Sequence, residues 1–199
     1  MYKIVKRALD IVFSLFLLLI LSPLLLTVML VLAVTTHGKP IFKQQRAGRY
    51  SRPFYIYKFR TMQVDAPPQM PTKDFTNANC YITKFGHLLR NTSIDELPQL
   101  WNILKGDMSF IGPRPVILGE AELLRERQKH GADRILPGLT GIAQIHGRDL
   151  VDIKHKARYD AYYAKRIGLW MDIRILFGTV VCVFTRRGIH EGKTAKIEK

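Results

Sequence analysis

Residues Ile11 to Val34 form an uncharged, almost wholly apolar run of 24 residues, and the rest of the chain has to accommodate it. A run of that length can cross a bilayer as one helix, and it is too long for the core of a signal peptide. No small-residue cleavage motif follows it. Ser22-Pro23 stands near the midpoint, where proline removes one helical hydrogen bond and kinks the axis. The carbonyl that Pro23 frees needs another donor in an apolar setting, and the Ser22 hydroxyl or a nearby group can supply it. Lys3, Lys6 and Arg7 precede the run, and Lys39, Lys43, Arg46 and Arg49 follow it. Cations on both flanks leave the positive-inside rule no side to prefer. Two forms stay open on these grounds: a kinked spanning helix, and a helix, break and helix that return to one face. Asp10 at the entry is a candidate for orienting the segment, with a plain interfacial charge the simpler reading.

The second organising stretch is residues 92 to 115, centred on the adjacent carboxylates Asp95 and Glu96. Ser93 and Glu96 have capping-box spacing, and Leu97, Leu100, Trp101 and Leu104 follow at helical intervals. Proline is tolerated only in a first helical turn, so Pro98 puts the helix start between Ser93 and Glu96. At a helix N-terminus the dipole favours ionised carboxylates, and the free N–H groups can hold a phosphate or a metal-bound anion. A glycine- and proline-punctuated loop follows, in which Pro113 and Pro115 stiffen the backbone presenting the Arg114 guanidinium. Asp107 is a second candidate carboxylate, with capping of its loop the simpler role.

Lys and Arg outnumber Asp and Glu 31 to 16, a net charge of +15, so the partners are anionic: nucleic acid, an acidic membrane surface or a phosphorylated substrate. Cys80 and Cys182 offer neither a disulfide framework nor a zinc site, and the six histidines make no ligand cluster. Residues 41 to 62 read as two extended segments joined by a Gly-Arg-Tyr-Ser-Arg-Pro turn. Phe54, Ile56 and Lys58 fall on one face of the second segment, with Tyr55, Tyr57 and Phe59 on the other. Cations interleaved with aromatics suit a base-stacking platform or a lipid headgroup belt. Asp65 to Asn79 is a loop, placed as a lid or specificity element. Ile82 to Arg90 reads as a short helix, Glu120 to His130 as a charged solvated helix, and Asp152 to Arg166 as a helix bearing Asp160. The glycines of residues 137 to 148 permit close backbone approach to a ligand, within reach of Gln144 and Arg148. Trp170, Ile173, Phe177, Val180, Val181 and Phe184 make a helical stripe, suited equally to the membrane interface and to an ordinary buried helix. Gly188 to Thr194 imitates a phosphate-binding loop but is one residue short between its glycines, and it reads as tail.

Asp-Glu-Leu-Pro-Gln (95 to 99), Lys-Gly-Asp-Met-Ser (105 to 109) and Gly-Pro-Arg-Pro (112 to 115) together resemble the signature of the bacterial monotopic phosphoglycosyl transferases. The resemblance runs from the apolar segment to about Arg187. It implies a mainly helical α+β fold: a re-entrant membrane helix broken at Ser22-Pro23 over residues 1–38, then a small catalytic domain over 39–187 with a short β-hairpin and interfacial helices. Residues 188–199 remain as a charged tail. It further implies transfer of a sugar-1-phosphate from a UDP-sugar to polyprenyl phosphate, at the cytoplasmic face of the bacterial plasma membrane. Asp95 and Glu96 would be catalytic and would bind Mg²⁺. Lys58, Arg60, Arg90, Arg114, Gln144 and Arg148 would bind substrate. His146 stands where the pattern has Asn. The partners implied are the UDP-sugar, the lipid phosphate and the bilayer, with no nucleic acid; interfacial contacts would suit a homodimer. Within this class, direct displacement competes with a covalent Asp95 intermediate. Outside it, a membrane-anchored basic binding module explains the charge and the anchor but leaves the three motifs without a role.

Overall fold

The apolar run folds as two helices. In the computed structural model, which describes residues 1–36, 38–64, 81–147 and 151–185, α1 (Tyr2–Ile20) and α2 (Ser22–Thr35) meet at Leu21 with a 62° bend. Pro23 offers no N–H to the Leu19 carbonyl, and Ser22 Oγ donates to that carbonyl at 2.7 Å. Among the described residues no single helix is long and apolar enough to cross a membrane; the bent pair meets that test together. The expectations for the Asp65 to Asn79 loop, Cys80, Arg148 and the tail fall outside the described residues.

One side of α1 is fastened to the rest of the chain. Arg7 donates to the Ile103 and Leu104 carbonyls at 2.6 and 2.9 Å. Asp10 is buried and accepts the Phe110 N–H at 3.1 Å, so it is a tether and not the plain interfacial charge expected. Leu17, Leu18 and Leu21 pack on Ile56, Leu100, Ile103 and Met108, while Val28 and Leu32 of α2 pack on Phe59 and Leu89. The opposite side of the pair leaves Ile4, Val12, Phe16, Leu19, Leu26 and Leu30 exposed.

β1 (Ile41–Ala47) and β2 (Pro53–Phe59) form the expected antiparallel hairpin, with Ile41 opposite Phe59 and Ala47 opposite Pro53. Strand alternation sends Ile56 into one apolar cluster and Phe59 into the other, so the hairpin is the wall between them. α3 (Lys84–Asn91) begins on Thr83, whose side chain accepts the Gly86 N–H. α4 (Gln99–Lys105) lies along β2, where a third strand would otherwise pair. Its buried Asn102 accepts the Tyr57 N–H at 3.0 Å and donates to the Tyr55 carbonyl at 2.7 Å.

A second sheet went unforeseen. β3 (Ser109–Ile111) and β4 (Gly138–Thr140) pair in parallel. A Cβ on Gly138 would lie 2.1 Å from the Gly112 nitrogen, and one on Gly141 would lie 2.2 Å from the Gly112 oxygen. The glycines expected to admit a ligand here admit another stretch of backbone.

Helices close the fold: α5 (Ala121–Lys129), α6 (Ile142–Ile145), α7 (Ile153–Lys165) and α8 (Leu169–Thr185). α5 is not merely solvated, because its Arg127 is buried and pairs with the buried Asp160 of α7 at 2.7 Å. Asp172 of α8 receives three donors: Tyr2 Oη at 2.6 Å, Lys6 Nζ at 2.8 Å and Tyr163 Oη at 2.6 Å. Trp170, Ile173, Phe177, Val180 and Val181 are exposed, which overturns the buried-helix reading of the stripe; the Phe184 side chain lies outside the described ones. Among the described residues the architecture is mainly helical α+β with two small two-stranded sheets.

Candidate active site

After α3 the chain turns through Ser93, whose backbone is left-handed at φ 57°, into a 3-10 turn over Ile94–Glu96. The capping box does not form. Ser93 caps nothing with its side chain, and the Glu96 carboxylate turns to two cations instead. α4 begins only at Gln99, with Pro98 as its N-cap, so the dyad precedes the helix and is not part of its first turn. The expected helix-dipole support for two ionised carboxylates is therefore missing, and other forces set their charge.

Glu96 Oε1 lies 2.7 Å from Lys58 Nζ and 3.0 Å from Arg114 Nη2. Burial works against its charge, but Arg114 and Lys58 outweigh burial and hold the carboxyl well below the usual range. Asp95 has the opposite balance. It is 9% exposed and accepts no hydrogen bond from the described residues. Burial pushes its carboxyl up to about 6 against the opposing pull of Lys58; Glu96 adds to the rise, while Arg90 and Arg114 oppose it. Adjacent carboxylates are thus driven apart: Glu96 is locked as an anion, and Asp95 is an anion just above pH 6 with little solvation.

The hairpin and the loops bring the cations in. Lys58 shares the Ile56 face of β2, and Asn102 fixes that strand against α4. Arg114 comes from the segment following β3. Arg90, in the last turn of α3, donates to the buried Thr61 hydroxyl at 2.8 Å and acts on Asp95 through its charge. Arg60 is not brought to the dyad; its Nε donates to the Lys39 carbonyl at 2.8 Å. Gln144 is buried with neither amide atom hydrogen-bonded among the described residues, its Oε1 2.9 Å from where a Cβ on Gly141 would stand. Arg148 lies outside the described residues. His146 bonds the Ile142 carbonyl through Nδ1 at 2.9 Å and stacks on Tyr159. Asp107 takes the loop-capping role, accepting Lys105 at 2.9 Å and Asn102 at 3.3 Å.

One cation was missed. Arg46 of β1 is pushed down to about 10, first by burial and then by the Arg114 charge beside it. Two guanidiniums sharing one region disfavour each other's charge, and an incoming anion would relieve both. Only its flanking position was legible in the sequence.

Among the described residues no group of three or more His, Cys, Asp and Glu gathers to hold a metal. Asp95 and the second oxygen of Glu96 nevertheless suit magnesium, which commonly takes one or two carboxylates and completes its shell with substrate phosphates and water.

Cations that can hold phosphate oxygens thus stand beside a poorly solvated carboxylate, an arrangement suited to the chemistry of phosphorylated groups. The chain belongs to the bacterial sugar transferase family, whose model matches residues 1–186. It is 40% identical over 206 residues to the undecaprenyl-phosphate galactose phosphotransferase of Salmonella typhimurium. It is 35% identical over 198 residues to the UDP-glucose:undecaprenyl-phosphate glucose-1-phosphate transferase of Escherichia coli. Each match covers 94% of this chain but only 42% of the relative, so the chain spans less than half their length. A full-length likeness exists too: the exopolysaccharide production protein PSS of Rhizobium leguminosarum is 40% identical over 92% of this chain and 96% of its own.

Proposed function

We propose that the chain transfers a sugar-1-phosphate from a UDP-sugar to polyprenyl phosphate through a covalent intermediate on Asp95. The observation that carries this reading is the contrast within the dyad: Asp95 buried and unbonded among the described residues, Glu96 held by Lys58 and Arg114. A carboxylate with few hydrogen bonds keeps its nucleophilicity. An Asp95 oxygen forms a bond to the phosphorus bearing the sugar, and the bond to the bridging oxygen breaks, so that UMP leaves with the electron pair. A phosphate oxygen of the lipid then attacks the same phosphorus. The bond to Asp95 breaks, and polyprenyl-diphosphate sugar departs. Arg114, Lys58 and Arg90 neutralise phosphate oxygens in both steps. Glu96 stays ionised and positions Lys58 and Arg114, a better fit to its surroundings than proton transfer. Mg²⁺ held by Asp95 and Glu96 would supply further charge neutralisation.

The bent pair supports a re-entrant anchor over residues 1–38, and the exposed stripe of α8 supports contact with the interface at the cytoplasmic face of a bacterial plasma membrane. The catalytic domain would then be residues 39–187. The names of the relatives support undecaprenyl phosphate as the acceptor, with galactose or glucose among the first sugars to try. The test is UMP release by the full chain from a panel of UDP-sugars, with and without undecaprenyl phosphate and Mg²⁺. Turnover that needs the lipid and vanishes in Asp95→Asn supports the reading. A sugar-phosphate trapped on Asp95 without lipid separates the covalent route from direct displacement, and silence across the panel overturns both.

A further inference from the structure

One cavity lies away from the dyad. It has a volume of about 250 Å³ and lies beside the first two turns of α1, between them, β3 and the 3-10 turn over Ala132–Arg134. Among the described residues five cations line it, Lys3, Lys6, Arg7, Arg49 and Arg134, against a single carboxylate, Asp10. None of these six belongs to the set around Asp95. Asp10 is occupied by the Phe110 N–H, Lys6 by Asp172, Arg7 by the end of α4, and Arg49 by the Arg134 carbonyl at 2.9 Å. Lys3 and Arg134 make no side-chain hydrogen bond or ion pair among the described residues, and both are exposed. Ile111, Leu136 and Ile167 supply apolar wall. One sign of charge over low-dielectric walls concentrates the field and draws an anion.

We infer that this cavity binds the phosphate headgroup of a membrane lipid, separately from the catalytic site, through Lys3 and Arg134. The inference rests on the proposed membrane anchor. If the bent pair enters the bilayer, Lys3, Lys6, Arg7 and Asp10 lie where it enters, at headgroup depth, and the apolar wall meets the start of the acyl or prenyl chain. A soluble nucleotide would use the cations but not that wall.

The probes are phosphatidylglycerol, phosphatidylcholine and undecaprenyl phosphate, titrated onto the detergent-solubilised full chain and counted by native mass spectrometry. The wild type is expected to retain one phosphatidylglycerol about tenfold more than phosphatidylcholine, and Lys3→Gln with Arg134→Gln to lose that preference. Arg125→Gln with Lys154→Gln, the same charge removed from exposed positions on α5 and α7, is expected to keep it. Retention of undecaprenyl phosphate instead, with the same loss in the variant, supports the site with the acceptor lipid as its source. Equal retention of phosphatidylglycerol and phosphatidylcholine, or equal loss in the control variant, overturns it. Flotation with pure phosphatidylcholine vesicles tests the anchor alone. A chain that does not float defeats the anchor and this inference together, whereas one that floats without headgroup preference defeats this inference only.

Discussion

Lys58 Nζ sits 2.7 Å from Glu96 Oε1, and that contact joins the β-hairpin to the turn bearing Asp95. Removing either partner leaves the other charged and poorly solvated, so Glu96→Gln and Lys58→Met are each expected to lower UMP release at least about a hundredfold. The double variant should lose little more than either single one, because both act on one unit. Additive losses in a double-mutant cycle would show that the two residues act independently.

Asp95 gives the rate an acid limb. Its carboxyl is pushed up to about 6, so kcat/KM should fall tenfold per pH unit below about 6, through a single ionisation. Glu96, held far lower, should add no second step in that range. A pH profile on the full chain measures both.

The same shift predicts an opposition between stability and activity. Asp95 binds its proton more tightly folded, at about 6, than at the ordinary 3.8, so stability is lost as pH rises between those values and stays lost above. Asp95→Asn should therefore stabilise the inactive protein by about 1–3 kcal/mol above pH 6. Thermal unfolding should show that gain shrinking to nothing near pH 4.

The candidate site was marked in the sequence by its motifs, but the contacts that shape it were not. Asp95, Glu96, Lys58 and Arg114 stood out as residue types, and the hairpin declared itself through an alternating segment and its turn. The capping box failed because spacing cannot report the left-handed backbone of Ser93. β3 and β4 are three residues each, too short for a period to show, and their pairing depends on glycines distant in sequence. Arg46 and Asn102 were unmarked for the same reason: each owes its role to a partner on another element.

Asn102 is where that dependence can be measured. Its side chain satisfies two backbone groups of β2, and Asn102→Ala would strand both in a buried setting. A loss of about 2–4 kcal/mol in chemical unfolding is expected, larger than a cavity of that size alone would give.

Arg127 and Asp160 form a buried ion pair remote from the dyad. Arg127→Met alone should cost about 3–5 kcal/mol by stranding Asp160, whose charge burial already disfavours. Arg127→Met with Asp160→Leu should recover most of that, with UMP release kept.

Asp172 has a bearing on the timing of synthesis. Its partners Tyr2 and Lys6 precede it by 170 and 166 residues. At the usual ribosomal pace of about 5–20 residues per second, the first turn of α1 waits roughly ten to thirty seconds for the carboxylate that receives it. Until then Tyr2 and Lys6 lack that carboxylate, so the docking of the first turn of α1 waits on the synthesis of α8.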